Sequence, residues 1–313
     1  MANPLRPALL AAARSPRVRR AVTRTPATRS LVERFVAGTT TAEAVATAAE
    51  VLSSGRAVTI DHLGEDTTDL AQAEANTAEY LTLLAALPRS VGPLDGLEVS
   101  LKLSALGQSL PRDGHKTAQE NAHAICAAAQ AAGALVTIDA EDHTTTDSTL
   151  SVVRELRADF PTLGAALQAH LKRTEADCRD LSGPGSRIRL CKGAYREPAS
   201  VAHQDKAAVD EAYLRCLRVL MDGDGHPMVA THDPAMIAAA TRLALPAGRS
   251  TRDLEFQMLY GIRDAEQRRL VEDRHTLRVY LPYGGQWYGY FMRRLAERPA
   301  NLTFFLRSLI SRD

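Results

Sequence analysis

From residue 57 onward, short runs of β-branched and other apolar residues alternate with longer amphipathic stretches, at intervals of about 25–40 residues. The runs predict strands at Ala57–Leu63, Leu97–Leu103, Leu135–Asp139, Gly164–Ala169, Arg187–Cys191, Met228–Thr231, Leu254–Met258 and Leu277–Leu281. Helices are expected near 69–87, 116–132, 147–159, 174–181, 199–221, 234–244 and 263–273, with one more after the last strand. Strand and helix in strict alternation imply parallel strands covered by helices. Eight such units, with no G-x-G-x-x-G after the first strand, favour a (β/α)8 barrel over an open doubly wound sheet. Residues 1–50 read as a helical arm ahead of a barrel spanning 51–313. Within the arm, Ser30–Val36 and Thr41–Glu50 are rich in helix formers, and Gly38 with the threonines at 39–41 separates them.

Composition narrows the class. A chain of 313 residues with 45% apolar content and a net charge of +1 can bury a full core and carries no electrostatic footprint for nucleic acid. Arginines crowd the first thirty residues, from Arg6 to Arg29, without the apolar run of a secretory signal. No stretch reaches the ~18 apolar residues that span a bilayer. The expected setting is cytoplasmic, with at most peripheral contact at the inner face of the membrane. Four dispersed cysteines without metal-ligand spacing read as reduced, structural thiols.

The predicted strands are unusually polar at their C-terminal ends, where a (β/α)8 barrel carries its chemistry. Strand two ends at Lys102, three at Asp139-Ala140-Glu141, and four at Gln168-Ala169-His170. Strand five holds Arg189 and runs into Lys192-Gly193-Ala194-Tyr195. Strand six ends at Thr231-His232-Asp233, seven holds Glu255 and Gln257, and eight holds Tyr280. Buried charges need partners or a function, so seven consecutive strands tipped this way imply a ligand site. Lys102, Arg189, Lys192, Arg293 and Arg294 outnumber Asp139, Glu255 and Glu297, which suits an anionic ligand. His170 and His232 lack a third ligand for a metal, and no G-x-S-x-G supports a hydrolase. On the last helix, Tyr290, Arg293, Arg294 and Glu297 share one face, where two guanidinium forks could grip a carboxylate. A solvated face with an Arg293–Glu297 pair is the competing reading.

The ordered motifs L-K-L-S-A-L (101–106), I-D-A-E (138–141), L-Q-A-H-L-K-R (167–173) and R-L-C-K-G-A-Y (189–195) are followed by A-T-H-D (230–233) and E-F-Q-M-L-Y-G (255–261). The series closes with V-Y-L-P-Y-G (279–284) and Y-F-M-R-R-L-A-E-R-P-A-N (290–301). Together they resemble proline dehydrogenase, most closely the short, single-activity bacterial form of that flavin-dependent family. The resemblance covers about residues 50–310. It implies a distorted barrel with FAD at the strand C-termini and the last helix over the mouth. It assigns Lys102, Arg293 and Arg294 to the carboxylate of L-proline, and Tyr280, Tyr290, Leu259 and Tyr195 to the ring pocket. The resemblance also places Asp139 and Arg189 in the catalytic group, with Arg189 expected to reach the flavin N5 region. Ala140, Gln168, Lys192, Gly193, Ala194, Thr231 and His232 are expected at the cofactor. Asp233 stands where the family pattern suggests Asn, and His170 replaces a frequent Tyr. A membrane quinone would take the electrons, and a separate pyrroline-5-carboxylate dehydrogenase would perform the second oxidation. Two rivals are a flavin barrel of the methylenetetrahydrofolate reductase type, which lacks the Y-x-x-R-R-x-x-E helix, and a catalytically silent binding barrel.

Overall fold

The computed structural model describes residues 34–91 and 96–291, and every predicted strand is present. They are β1 (Ala57–His62), β2 (Leu97–Leu101), β3 (Leu135–Ile138), β4 (Gly164–Gln168), β5 (Arg187–Cys191), β6 (His226–Ala230), β7 (Glu255–Leu259) and β8 (Thr276–Tyr283). Each pairs in parallel with the next, and β8 pairs with β1, so the sheet closes into an eight-stranded barrel. Closure leaves no edge strand open. The helices are α1 (Thr41–Ser53), α2 (Leu70–Val91), α3 (Gly114–Ala132), α4 (Thr146–Leu156), α5 (Thr174–Leu181), α6 (Lys206–Asp222), α7 (Pro234–Ala244) and α8 (Asp264–Glu272). A last helix starts at Trp287, and its course past residue 291 lies outside the described residues.

Two helices are shorter than their patterns predict. α6 begins at Lys206 rather than 199, because Asp205 caps it with a side chain that accepts from Ala208 N. The preceding segment holds Pro198, and Glu197 is engaged with His143. α4 stops at Leu156, ahead of Pro161.

Alternation along each strand sorts the side chains into two environments. Val58 and Ile60, Val99 and Leu101, and Ile188 and Leu190 face outward and join one apolar cluster with the helices. Their neighbours face the barrel interior and are polar: Thr59 and Asp61, Glu98 and Ser100, Arg187 and Arg189, Glu255 and Gln257, Arg278 and Tyr280. The barrel is therefore oily outside and charged within.

The chain enters the barrel across its mouth. Arg34–Val36, read as the end of a helix, form a turn and an extended segment instead. Ala37 N donates to Pro282 O at 2.8 Å and Gly284 N to Gly38 O at 3.0 Å, tying this segment to the end of β8. Phe35 is buried, its ring 6.5 Å from that of Phe291. Gly261, just beyond β7, has φ +70, and a Cβ there would stand 1.7 Å from the Arg34 carbonyl oxygen. Only glycine accommodates both the backbone and the approach. α1 follows with a capping box between Thr40 and Glu43. Its Ala44, Val45, Ala48 and Val51 belong to the barrel's apolar cluster, so this helix packs as one piece across the boundary expected at residue 50. None of the helices among the described residues is long and apolar enough to cross a membrane.

Candidate active site

At the mouth, adjacent strands deliver four polar side chains to one another. Lys102, immediately after β2, places Nζ 2.7 Å from Asp61 Oδ2 on β1 and 3.3 Å from Asp139 Oδ2 after β3. The Tyr280 hydroxyl on β8 donates to Asp139 Oδ2 at 2.6 Å, and Ser100 Oγ donates to Asp139 Oδ1 at 2.7 Å. Arg189 spans the interior from β5. Its Nη1 donates to Asp139 Oδ1 at 2.6 Å and to Ser100 Oγ at 2.7 Å. Its Nε reaches Gln257 Oε1, and its Nη2 reaches Glu98 Oε1, each at 2.6 Å. Tyr280 lays its ring against the guanidinium, 5.3 Å from centroid to Cζ. These contacts bring Lys102, Asp139, Arg189 and Tyr280 together as expected from the strand ends.

The same contacts correct the charge sum. Beneath Arg189, Glu98 also accepts from Thr59 Oγ1 at 2.7 Å and from Arg187 Nη2 at 3.0 Å. Arg278 holds Glu255 with Nε at 2.8 Å and Nη2 at 3.1 Å, and donates through Nη1 to the Val58 and Gly96 carbonyls. Asp61, Glu98, Asp139 and Glu255 thus match Lys102, Arg187, Arg189 and Arg278 one for one. The cation surplus inferred from strand ends is absent from the described barrel interior. Arg293 and Arg294, the other cations of that sum, lie outside the described residues.

Burial and pairing set the ionisation of this network. Burial pushes the Asp61 carboxyl up to about 6 despite the opposing pull of Lys102. Burial would raise Asp139 too, but Lys102 and Arg189 together hold it below its ordinary value. Burial works against the charge on Lys102, yet Asp61, Tyr280 and Asp139 keep it well above the usual lysine range. Arg189 is likewise raised, with Glu98 and Asp139 overcoming burial.

The expected cofactor residues form a second group around the ends of β4 to β7. Gln168 donates through Nε2 to Glu141 O at 2.7 Å, and its Oε1 lies 3.4 Å from Ala194 N. Gly193 is exposed with φ +119, and a Cβ there would strike the His170 ring, which is what this glycine allows. Lys192 pairs with Asp210 and, at 2.7 Å, with Asp233 Oδ2. Asp233 also caps α7 through Ala235 N, and its carboxyl is held low first by the Lys192 hydrogen bond. Its negative charge, unexpected at this position, is therefore already shared by an ammonium and a helix N-terminus. Thr231 Oγ1 accepts from Asp233 N, and His232 Nε2 accepts from Leu259 N at 2.9 Å. An accepting Nε2 puts the neutral ring's proton on Nδ1. Glu141, buried between the two groups, accepts from the Ser104 amide and hydroxyl, and burial pushes it up to about 7. Tyr195 and Leu259 are half-buried and Tyr290 is buried.

Asp61, Glu98, Arg187 and Arg278 belong to the site's framework but were not singled out by the motifs. Their signal is the polar residue at every second strand position, as in Glu98-Val99-Ser100 and Arg187-Ile188-Arg189. Among the described residues, no group of three or more His, Cys, Asp or Glu side chains could hold a metal ion.

Comparisons with known proteins identify the family and the fold. The family profile for proline dehydrogenase matches residues 44–307. Proline dehydrogenase 2 of Bacillus subtilis (strain 168) is 37% identical over 276 residues, covering 88% of this chain and 89% of that protein. The proline dehydrogenase of Deinococcus radiodurans is 38% identical over 284 residues, 90% of each chain. Among solved structures, proline utilization A from Bdellovibrio bacteriovorus, inactivated by N-propargylglycine, superposes with a TM-score of 0.79 at 23% identity. That match covers 91% of this chain but 34% of the longer protein, and it speaks for the barrel fold alone. On the strength of the family profile and its near full-length relatives, the chain belongs to the proline dehydrogenase family, oxidoreductases acting on proline.

Proposed function

We propose that the barrel mouth binds FAD and L-proline side by side and oxidises proline to Δ1-pyrroline-5-carboxylate, the first step of proline catabolism to glutamate. The observation that carries this reading is the convergence of Lys102, Asp139, Tyr280 and Arg189 in one buried network at the strand C-termini. The residues present fit a flavin. Four N–H groups of Arg189 have acceptors among the described residues, which fixes the plane of a guanidinium beside the mouth. The exposed Gly193–Ala194 backbone, the Gln168 amide, Thr231, His232, Lys192 and Ala140 would hold the remainder of the cofactor.

When bound, the flavin supplies the two-electron acceptor at N5 for the hydride leaving proline C5. The chain's own residues orient and stabilise. Arg293, Arg294 and Lys102 hold the carboxylate, while Tyr280, Tyr290, Leu259 and Tyr195 surround the ring, an effect of positioning. The nitrogen lone pair forms the C=N bond as hydride leaves, so the amine must be neutral when it reacts. Arg189, fixed by Asp139 and Glu98, favours the negative charge arriving at its side of the site. Electrons then pass to a membrane quinone, and a separate pyrroline-5-carboxylate dehydrogenase consumes the product.

The test is direct. The purified protein should be yellow and should bleach on adding proline without oxygen. A protein that takes up no flavin on reconstitution would refute the reading. Reduction by NADH but not by proline would favour the methylenetetrahydrofolate reductase type.

A further inference from the structure

Glu98, the second residue of β2, is fully buried in the barrel interior, on the side away from the mouth. Its two oxygens are divided between two arginines. Oε1 accepts from Arg189 Nη2 at 2.6 Å, and Oε2 accepts from Arg187 Nη2 at 3.0 Å. Arg189 is the cation that faces the mouth, and Arg187 lies at the start of the same strand, on the far side. A carboxylate this close to a guanidinium, with no water between, cancels much of the field that the guanidinium projects onward. How much it cancels depends on how the carboxylate is shared.

We propose that Glu98 is a positioning residue that sets the electrostatic strength of Arg189 and, through it, the reduction potential of the flavin. The inference rests on the functional reading above, in which Arg189 adjoins the cofactor. Two-electron reduction adds negative charge beside Arg189, and an undiminished guanidinium stabilises that charge most. Glu98 therefore makes the cofactor a weaker oxidant than Arg189 alone would. Arg187 opposes it by drawing Glu98's charge toward the other end of the barrel. The two residues form a balance with opposite signs.

Dye-coupled potential titration of the flavin, without proline, tests this on the loaded enzyme. Glu98→Gln keeps the side chain's shape and removes its charge, and the equilibrium constant for flavin reduction should rise about tenfold, ~30 mV for a two-electron couple. Arg187→Gln should shift it severalfold in the opposite direction. Glu98→Asp keeps the charge and should stay within about threefold of the parent. Unchanged potentials in folded, flavin-loaded Glu98→Gln would overturn the proposal, as would a Glu98→Asp shift as large as that of Glu98→Gln. Should Glu98→Gln not fold, the more exposed Arg187 decides: a negative shift supports the proposal and no shift overturns it. A parent protein that binds no flavin would sink the functional reading instead, before any variant is compared.

Discussion

Lys102 lies 2.7 Å from Asp61, on the neighbouring strand, and the carboxylate is almost entirely enclosed. A lysine assigned to a substrate carboxylate thus already has a carboxylate of the protein. Asp139, at 3.3 Å, makes a second. Lys102 is consequently the counter-charge that lets two acids share the mouth, alongside the substrate contact proposed for it.

Replacing Lys102 should expose both roles. Lys102→Met leaves Asp61 and Asp139 facing each other without their cation, and loss of one partner from a buried pair typically costs about 3–5 kcal/mol. Urea unfolding should show that loss at pH 8 and less of it at pH 5, where Asp61 can take a proton. Adding Asp61→Asn should recover part of the loss at pH 8. Proline use should fall in both variants more than flavin content does. Additive destabilisation in the double variant would contradict the coupling.

Glu141 gives the fold a measurable pH dependence. Its carboxyl is raised to about 7 by burial, so the folded chain binds a proton there that the unfolded chain has already lost. Stability from this group is complete below the unfolded value, near 4.5, and declines as pH rises through 7. The span corresponds to roughly 3 kcal/mol. Glu141→Gln keeps an acceptor for the Ser104 amide and removes the titration. Its stability should therefore vary less between pH 5 and 8 than the parent's, as followed by urea midpoint. An equal slope in both proteins would mean that Glu141 is ionised throughout.

Arg293 and Arg294, which the sequence pattern puts on one helix face, lie outside the described residues, and the proposed site assigns them the substrate carboxylate. Arg293→Lys or Arg294→Lys exchanges a bidentate fork for a point charge. A fall in kcat/KM for proline of roughly 10- to 1,000-fold is expected, with flavin content and the folded spectrum retained. Steady-state kinetics with a quinone analogue measures it. Parent-like values in both variants would return this helix face to solvent.

Arg278 closes the far end of the interior, gripping Glu255 and two backbone carbonyls of β1 and the turn before β2. Arg278→Met should destabilise by about 3–5 kcal/mol and leave the mouth's chemistry to whatever folded protein remains. Thermal unfolding checks the first part and proline KM the second. A change in KM at unchanged stability would place Arg278 within the substrate's reach.

The sequence made the strands legible because outward positions such as Val99 and Leu101, or Ile188 and Leu190, supply the apolar half of the alternation to the helices. It made Lys102, Asp139, Arg189 and Tyr280 legible because each sits near a strand's C-terminal end, where the barrel's topology points to chemistry. Glu98 and Arg278 were harder to read for the opposite reason. They sit near the starts of their strands, away from the mouth, where polar residues are normally excluded, and their meaning depends on a partner on another strand. Glu98 and Arg189 are 91 positions apart in the chain and 2.6 Å apart in space. The late start of α6 was hidden because helix formers extend upstream of the cap that ends the competition.

The strap from Phe35 to Gly38 fixes where a cargo can be attached. Because Ala37 and Gly38 are hydrogen-bonded to the extension of β8, anything fused directly ahead of Arg34 emerges beside the rim through which ligands pass. The opposite rim is free of that conflict. Residues 250–252, in the loop leading to β7, are largely exposed there and stand a full strand length from the mouth. A protein tethered to a bead or an electrode through that loop would present its opening to the solution, whereas one tethered ahead of the strap would hold it against the support.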